Sequence, residues 1–167
     1  MAIPSLVDIV RNAVSAFAGG ADPWTVLKLG SNAAISTTAF GNVSGMSFTA
    51  NANTWYEVEC YGAYQSAATT TGMALALDIP SGTVQGTTIT HSTAVAVVGA
   101  QQIADATTTG ATAGVATANT DTPVFAKFMI QVGGTGGTVQ LMMRSEVASS
   151  AVTLQANKFA MKYRALP

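Results

Sequence analysis

Few residues in this sequence could carry out chemistry, and the clearest pair is Glu57 and Glu59 in the segment TWYEVECYGAYQ. Two carboxylates held close together resemble the acid and the base of a glycoside hydrolase. Side chains two residues apart on a strand also share one face, so the same spacing is typical of the outward side of an antiparallel strand, or of carboxylates that pair with cations on neighbouring strands. We favour this structural interpretation over catalysis.

A second possible constellation is Cys60 as nucleophile with His91 as base and Asp78 as the orienting acid. His91 is the only histidine in the chain, which excludes a zinc site made of several histidines. Cys60 falls on the apolar side of its alternating segment, as expected for a small buried hydrophobic residue. We therefore assign no catalytic residue and expect that the protein is not an enzyme.

Cofactor and metal sites are equally poorly supported by the sequence. Asp78, Asp105 and Asp121 lie near predicted turns, but their spacing does not match an EF-hand calcium loop. The segment GGTGG at 133–137 lacks the Lys and Ser/Thr of a phosphate-binding loop and is predicted to connect a hairpin. We expect neither a cofactor nor a metal.

The composition restricts the partners. Of the 167 residues, 49% are hydrophobic and only 9% are charged, whereas about a quarter are charged in an ordinary soluble domain. The net charge is −1, so neither nucleic acid nor a membrane surface is an expected partner. A surface with so little charge favours a protein that functions in an assembly.

Residues 1–23 are predicted to form an amphipathic helical arm. Its apolar residues recur at intervals of three and four, and Gly19 and Gly20 end the pattern. Asp8 and Arg11 interrupt the apolar run, so we expect neither a signal peptide nor a membrane-spanning helix, and we expect synthesis in a cytoplasm. The apolar stripe contains Leu6, Ile9, Val10, Val14 and Phe17.

Residues 24–167 are predicted to form one all-β domain, because the apolar period changes to two from Trp24 onward. About eight or nine short strands separated by turns indicate a jelly-roll-like antiparallel β-sandwich. The Thr- and Ala-rich stretch 106–123 is predicted to be mostly a long exposed loop or a loosely held edge. The residues expected to face the core include Tyr56, Val58, Cys60, Tyr64, Met73, Leu75, Leu77, Ile79, Val124, Phe128, Ile130 and Val132.

The closing stretch LMMRSEVASSAVTLQANKFAMKYRAL alternates charged and apolar residues, which predicts a terminal hairpin with a charged outer side. Lys158, Lys162 and Arg164 then share one face of the last strand. Lysines on an edge strand often prevent aggregation, and a contact with an acidic protein surface explains the cations equally well.

The order of these segments resembles a known family. VSGMSFTANANTWYEVECYGAYQSAATTTGMALAL, then IPSG, a Thr/Ala-rich insertion, and GGTVQLMMRSEVASSAVTLQANKFAMKYRAL are similar to small β-sandwich proteins of tailed-bacteriophage virions. In those proteins an aromatic and acidic strand precedes a Ser/Ala/Thr turn, a G.aLAl..P.G strand and a closing SE.A...V.l....f...y segment. The resemblance covers Trp24 to Leu166, contains no catalytic motif and does not extend to Met1–Gly20.

The resemblance implies a structural virion protein that decorates and cements the capsid at junctions between major capsid subunits. Its implied partners are the major capsid protein and its own copies, as a dimer or trimer, and it would be made in the bacterial host cytoplasm and located at the capsid surface. The alternative is a receptor- or glycan-binding module of a tail or head fibre, in which Trp55, Tyr61 and the loop 106–122 face the sugar. The predicted partner-binding residues are Leu6, Ile9, Val10, Val14, Phe17, Lys158, Lys162 and Arg164. The stripe of the arm would pack against the capsid, a sister subunit or the sheet of its own chain, and these three alternatives stay open.

Overall fold

The computed structural model describes residues 24–91, 98–103, 111–112 and 114–167, and this part of the chain contains β-strands and no helix. The predicted arm at 1–23, with Leu6, Ile9, Val10, Val14 and Phe17, lies outside the described residues and stays a prediction. The strands are β1 (Thr25–Lys28), β2 (Ala33–Ile35), β3 (Gly41–Ala50), β4 (Trp55–Ser66), β5 (Met73–Asp78), β6 (Gly82–His91), β7 (Val98–Ile103), β8 (Thr122–Val132), β9 (Gly137–Ser145) and β10 (Val152–Ala165).

These strands form two antiparallel sheets. The larger sheet has the order β1-β10-β4-β8-β6-β7, with β2 also paired to β10, and the smaller sheet has the order β3-β9-β5. The chain changes sheet between β2 and β3, and again at most of the following connections. The predicted all-β antiparallel fold with two sheets is therefore confirmed.

Alternating apolar residues from both sheets form the core, as the period of two predicted. Val58, Cys60 and Tyr64 of β4 are fully buried, and so are Phe128 and Ile130 of β8. The other side of each of these strands points away from the core. One face of the larger sheet is therefore buried, and its opposite face is directed toward solvent.

β5 is an exception, because the alanines between its large apolar residues are also buried. Part of the Thr- and Ala-rich stretch lies beside this edge strand: the amide of Thr112 donates to the carbonyl of Met73 at 2.9 Å. Thr112 and Val115 are themselves fully buried. These two residues are therefore not part of an exposed loop: Thr112 bonds to the edge of β5, which requires hydrogen-bond partners, and Val115 joins the core.

The predicted terminal hairpin is wrong. β9 pairs with β3 and β5 in the smaller sheet, whereas β10 pairs with β1, β2 and β4 in the larger one. Likewise, Gly133–Gly137 does not connect a hairpin but leads from β8 in one sheet to β9 in the other. Alternation specifies which face of a strand is buried but not which strand lies beside it.

Polar side chains hold together the two loops that follow β4 and β9. Thr71 Oγ1 donates to Ser150 Oγ at 2.7 Å, and the amide of Gly72 donates to Glu146 Oε2 at 2.8 Å. Ser145 Oγ donates to the carbonyl of Ser150 at 2.7 Å. Ser145 and Glu146 thus hold the loop after β9 in place, where the chain passes from one sheet to the other. The sequence did not predict this role.

A bulge interrupts β10. Its register against β4 shifts between Leu154 and Phe159, and Asn157 has a φ of 60°. Gly62 opposite has a φ of 151°, and a Cβ there would lie 2.1 Å from the carbonyl oxygen of Lys158. Only glycine allows the two strands to approach so closely.

Candidate protein-binding face

The outer face of the larger sheet, formed by the side chains of β1, β10, β4 and β8 that point away from the core, collects most of the charge discussed above. Cross-strand register places Arg164 beside Glu57, and Lys162 beside Glu59, on β10 and β4. Lys127 of β8 lies beside Glu59 on the other side. The carboxylates of β4 are therefore flanked by cations on both sides.

The cations and carboxylates form one continuous network. Arg164 donates from Nε and Nη2 to Glu57 Oε2 at 2.9 and 2.5 Å, and Lys127 contacts the other oxygen of Glu57. Lys162 Nζ lies 2.8 Å from Glu59 Oε2, and Lys127 Nζ lies 3.4 Å from Glu59 Oε1. The sequence left two structural interpretations of these glutamates open, a solvent-facing side of the strand or pairing with cations on neighbouring strands. The structure contains the cross-strand pairing.

This network fixes the charge state of its members. The hydrogen bond from Lys127, followed by that from Arg164, lowers the pKa of Glu57, and the hydrogen bond from Lys162 lowers the pKa of Glu59. In return, Glu57 raises the pKa of Lys127. A glycosidase requires one carboxylic acid whose pKa is raised so that it can donate a proton. Here both pKa values are shifted in the opposite direction.

Trp24 contacts the network at the start of the described chain. Lys162 Nζ lies 4.3 Å from the centre of the indole ring, and the guanidinium carbon of Arg164 lies 4.6 Å from it. Both distances are in the range of a cation–π interaction. The residue that follows the predicted arm is thus located on the outer face, next to two of the predicted partner-binding cations.

Apolar side chains surround the network on the same face. Trp55 and Tyr61 flank the two glutamates along β4, Phe125 pairs with Tyr61, and Val26 pairs with Lys162. Their exposed fractions are large for such residues: 46% for Trp55, 41% for Tyr61, 37% for Phe125 and 45% for Val26.

Lys158, the third cation of the predicted set, belongs to a separate pair. Because the bulge displaces it from the regular register, its Nζ bonds to Asp121 Oδ2 at 2.5 Å. Gln65 Nε2 donates to the other oxygen of Asp121 at 2.9 Å. The hydrogen bond from Lys158 lowers the pKa of Asp121. The ion pair of Lys158 is thus separate from the network that contains Lys162 and Arg164.

The structure separates Cys60 from Asp78. Cys60 is completely buried in the core, and burial raises the pKa of its thiol, whereas Asp78 is exposed at the end of a strand in the other sheet. The side chain of His91 is outside the described set. Among the described residues, no group of three or more His, Cys, Asp or Glu could hold a metal ion, and no helix could span a membrane.

The protein thus belongs to the class of antiparallel two-sheet β folds. The outer face of its larger sheet is ion-paired and partly aromatic. No protein-family model matches the chain, and no curated protein matches it. One solved structure to which it has a likeness is that of infectious bursal disease virus, Gx strain, at 10% identity and a TM-score of 0.21. The match covers 86% of this chain but only 36% of that one.

Proposed function

We propose that this chain is a structural virion protein of a tailed bacteriophage that decorates and cements the capsid by binding at junctions between major capsid subunits. Its partners are the major capsid protein and further copies of itself, as a dimer or trimer. It is made in the bacterial host cytoplasm and is located at the capsid surface. A jelly-roll-like order of strands and a helical arm at 1–23 belong to the same proposal, which the sequence resemblance supports.

The observation that carries the proposal is the arrangement of the outer face. Exposed aromatic residues, above all Trp55, are the side chains that most often anchor protein interfaces. Between them, the carboxylates of Glu57 and Glu59 are already paired with cations of the same chain. A partner that covers this face therefore buries apolar area without leaving an unpaired charge behind.

We further infer that the protein acts by binding and not by catalysis. The carboxylates that resembled a hydrolase pair are held ionised by their cross-strand partners. The cysteine that resembled a nucleophile is enclosed by the core. Cementing needs no chemistry, because a protein that binds only the assembled shell stabilises it by mass action, and several linked copies strengthen the effect.

Sedimentation of full-length protein with undecorated, expanded capsids tests the proposal. Saturable binding and a rise in the temperature at which the capsids disrupt are the expected results. The double variant Trp55→Ala, Phe125→Ala should weaken binding at least about tenfold. Truncation of an aromatic residue that anchors an interface commonly costs about 2 kcal/mol or more of binding free energy. Val147→Ala is the matched control, because Val147 is also exposed, at 42%, but lies in the connection after β9.

The arm is tested in the same assay with Val10→Asp and Val14→Asp. Loss of capsid binding with an unchanged oligomer assigns the predicted stripe to the capsid, whereas loss of the oligomer assigns it to a sister subunit. If the full-length protein binds no capsid at all, the cement function is wrong.

A second candidate function is a receptor- or glycan-binding module of a tail or head fibre. The observation that favours it is a groove beside the exposed ring of Tyr61, lined by Lys28, Asn157 and Lys158 as well. A glycan array tests it directly, and an array on which the full-length protein finds no ligand rejects it.

A further inference from the structure

The groove beside Tyr61 has a volume of about 270 Å³ and lies on the outer face at the bulge of β10. Lys28 pairs with Ala160, and Ala160 pairs with Tyr61. The short side chain of Ala160 therefore forms the floor between a lysine on one side and an aromatic ring on the other.

The backbone irregularity shapes one end of this groove. Asn157 takes a positive φ, and its amide donates to the carbonyl of Leu29 at 2.8 Å. On the side of β4, the backbone of Lys158 packs closely against Gly62 and so restrains the turn at Asn157. The groove is thus built on the backbones of paired strands, and backbone contacts fix the turn at its end.

Charge in the groove differs from charge in the network of Glu57 and Glu59. Lys28 is exposed and makes no ion pair with any described residue. Lys158 is paired with the exposed Asp121. Among the described residues, the groove therefore offers one ammonium group without an ion pair, a second ammonium group that is paired with Asp121, and the side-chain amide of Asn157.

These groups match a sugar ring that carries a carboxylate. A sugar can place its C–H face on the ring of Tyr61, which Phe125 extends on the next strand. Its hydroxyl groups need both donors and acceptors, which the side-chain amide of Asn157 provides, and Lys158 adds a further donor. Pockets for drug-sized ligands measure about 300–1,000 Å³, so this smaller groove suits one ring. The carboxylate of a single protein side chain would leave most of it empty.

We propose that this groove binds one acidic sugar unit of a glycan, with the sugar carboxylate at Lys28 and the face of the ring on Tyr61. The proposal rests on the second candidate function and names its ligand class and its residues.

Titration of the full-length protein with methyl glucuronide and methyl glucoside tests the role of charge, since these sugars differ by a carboxylate in place of a hydroxymethyl group. The methyl glycoside of N-acetylneuraminic acid serves as a second acidic probe. At least one acidic sugar should bind about tenfold more tightly than the glucoside, as expected for one charge-assisted hydrogen bond.

Lys28→Gln should remove this preference, and Tyr61→Ala should weaken acidic and neutral sugars alike. Val147→Ala is the control: Val147 is exposed to a similar extent, at 42%, but it lies in the connection after β9, outside the groove. Thermal unfolding of each variant confirms that it is folded.

The proposal is overturned if neither acidic sugar binds, if the acidic and neutral sugars bind equally, or if Lys28→Gln retains the preference. A glycan found on the array whose binding requires Trp55 but not Lys28 would keep the second candidate function and reject this groove as its site. Loss of capsid binding in Lys28→Gln, without binding of any sugar, would assign the groove to a protein partner and likewise overturn the proposal.

Discussion

Arg164 donates two hydrogen bonds, from Nε and Nη2, to a single oxygen of Glu57. The other oxygen of that carboxylate contacts Lys127. Because Glu57 lies on β4, Arg164 on β10 and Lys127 on β8, one nearly buried carboxylate connects three neighbouring strands. This arrangement makes the glutamate a structural residue of the outer face.

Glu57→Gln should lower the free energy of unfolding by about 1–3 kcal/mol, because the amide cannot satisfy two cations with charge-assisted hydrogen bonds. Urea unfolding measures the loss. Asp121→Asn is the matched control, since Asp121 also pairs with a lysine but is more exposed, and exposed ion pairs contribute little. Equal losses in the two variants would show that the enclosure of Glu57 is irrelevant.

Acid should destabilise the protein through the same carboxylates. In the folded protein, the pKa values of Glu57 and Glu59 lie below their ordinary value of 4.5. A depressed pKa means that the stabilisation is fully present above pH 4.5 and is lost as the pH falls through the folded-state pKa. Urea unfolding at a series of pH values should show this decline, and the double variant Glu57→Gln, Glu59→Gln should show a shallower one. A variant with the same slope as the wild type contradicts the assignment.

Gly62→Ala should destabilise the protein by at least about 2 kcal/mol, because the residue has a positive φ and a Cβ would overlap the backbone of Lys158. Gly30→Ala is the control, since a Cβ at Gly30 meets nothing within 4 Å and its backbone needs no positive φ. Thermal unfolding compares the two. If Gly62→Ala is as stable as Gly30→Ala, the bulge of β10 does not require the glycine.

Two buried threonines should respond in opposite ways to replacement by valine. Thr88 and Thr71 are each 1% exposed, but Thr88 Oγ1 has no hydrogen-bond partner among the described residues, whereas Thr71 Oγ1 donates to Ser150. Thr88→Val should therefore leave stability unchanged or raise it by up to about 1 kcal/mol, and Thr71→Val should lower it by about 1 kcal/mol. Chemical denaturation measures both, and a clear loss in Thr88→Val would reveal a partner for its hydroxyl.

Cys60 should not react with a thiol reagent in the native protein at pH 8. Its side chain is fully buried, and burial raises the pKa of the thiol, so neither access nor thiolate is available. Colour development with an aromatic disulfide should begin only after denaturant is added. Rapid labelling of the native protein would mean that this part of the core opens readily.

The pattern in β4 shows how much of the site could be predicted. Its alternation places Val58 and Cys60 on the core face and Glu57 and Glu59 on the opposite face, and the structure confirms both faces, although neighbouring side chains cover Glu57. The cross-strand cations were one of two open alternatives. Their identity could not be predicted, because Lys127 and Arg164 are distant from β4 in sequence and reach it only through strand pairing.

The wrong hairpin and the features that alternation did not predict have a common physical origin. The segments of β9 and β10 follow each other and share an alternating pattern, which predicts a hairpin, yet they belong to different sheets. Lys158 is an even number of residues from Lys162 and Arg164, as for side chains on one strand face. The bulge nevertheless brings it to a different partner, Asp121. Thr112 and Val115 occur in a stretch typical of loops, yet they are buried.

The sequence by itself determined the all-β class, the buried side of the long strands and the scarcity of groups for chemistry. These properties depend on local alternation and composition, which each segment carries alone. Only the tertiary structure decided which strands pair, which cations meet the two glutamates and where a groove opens beside Tyr61. Those properties depend on register between distant segments, and a period of two is the same for every possible partner.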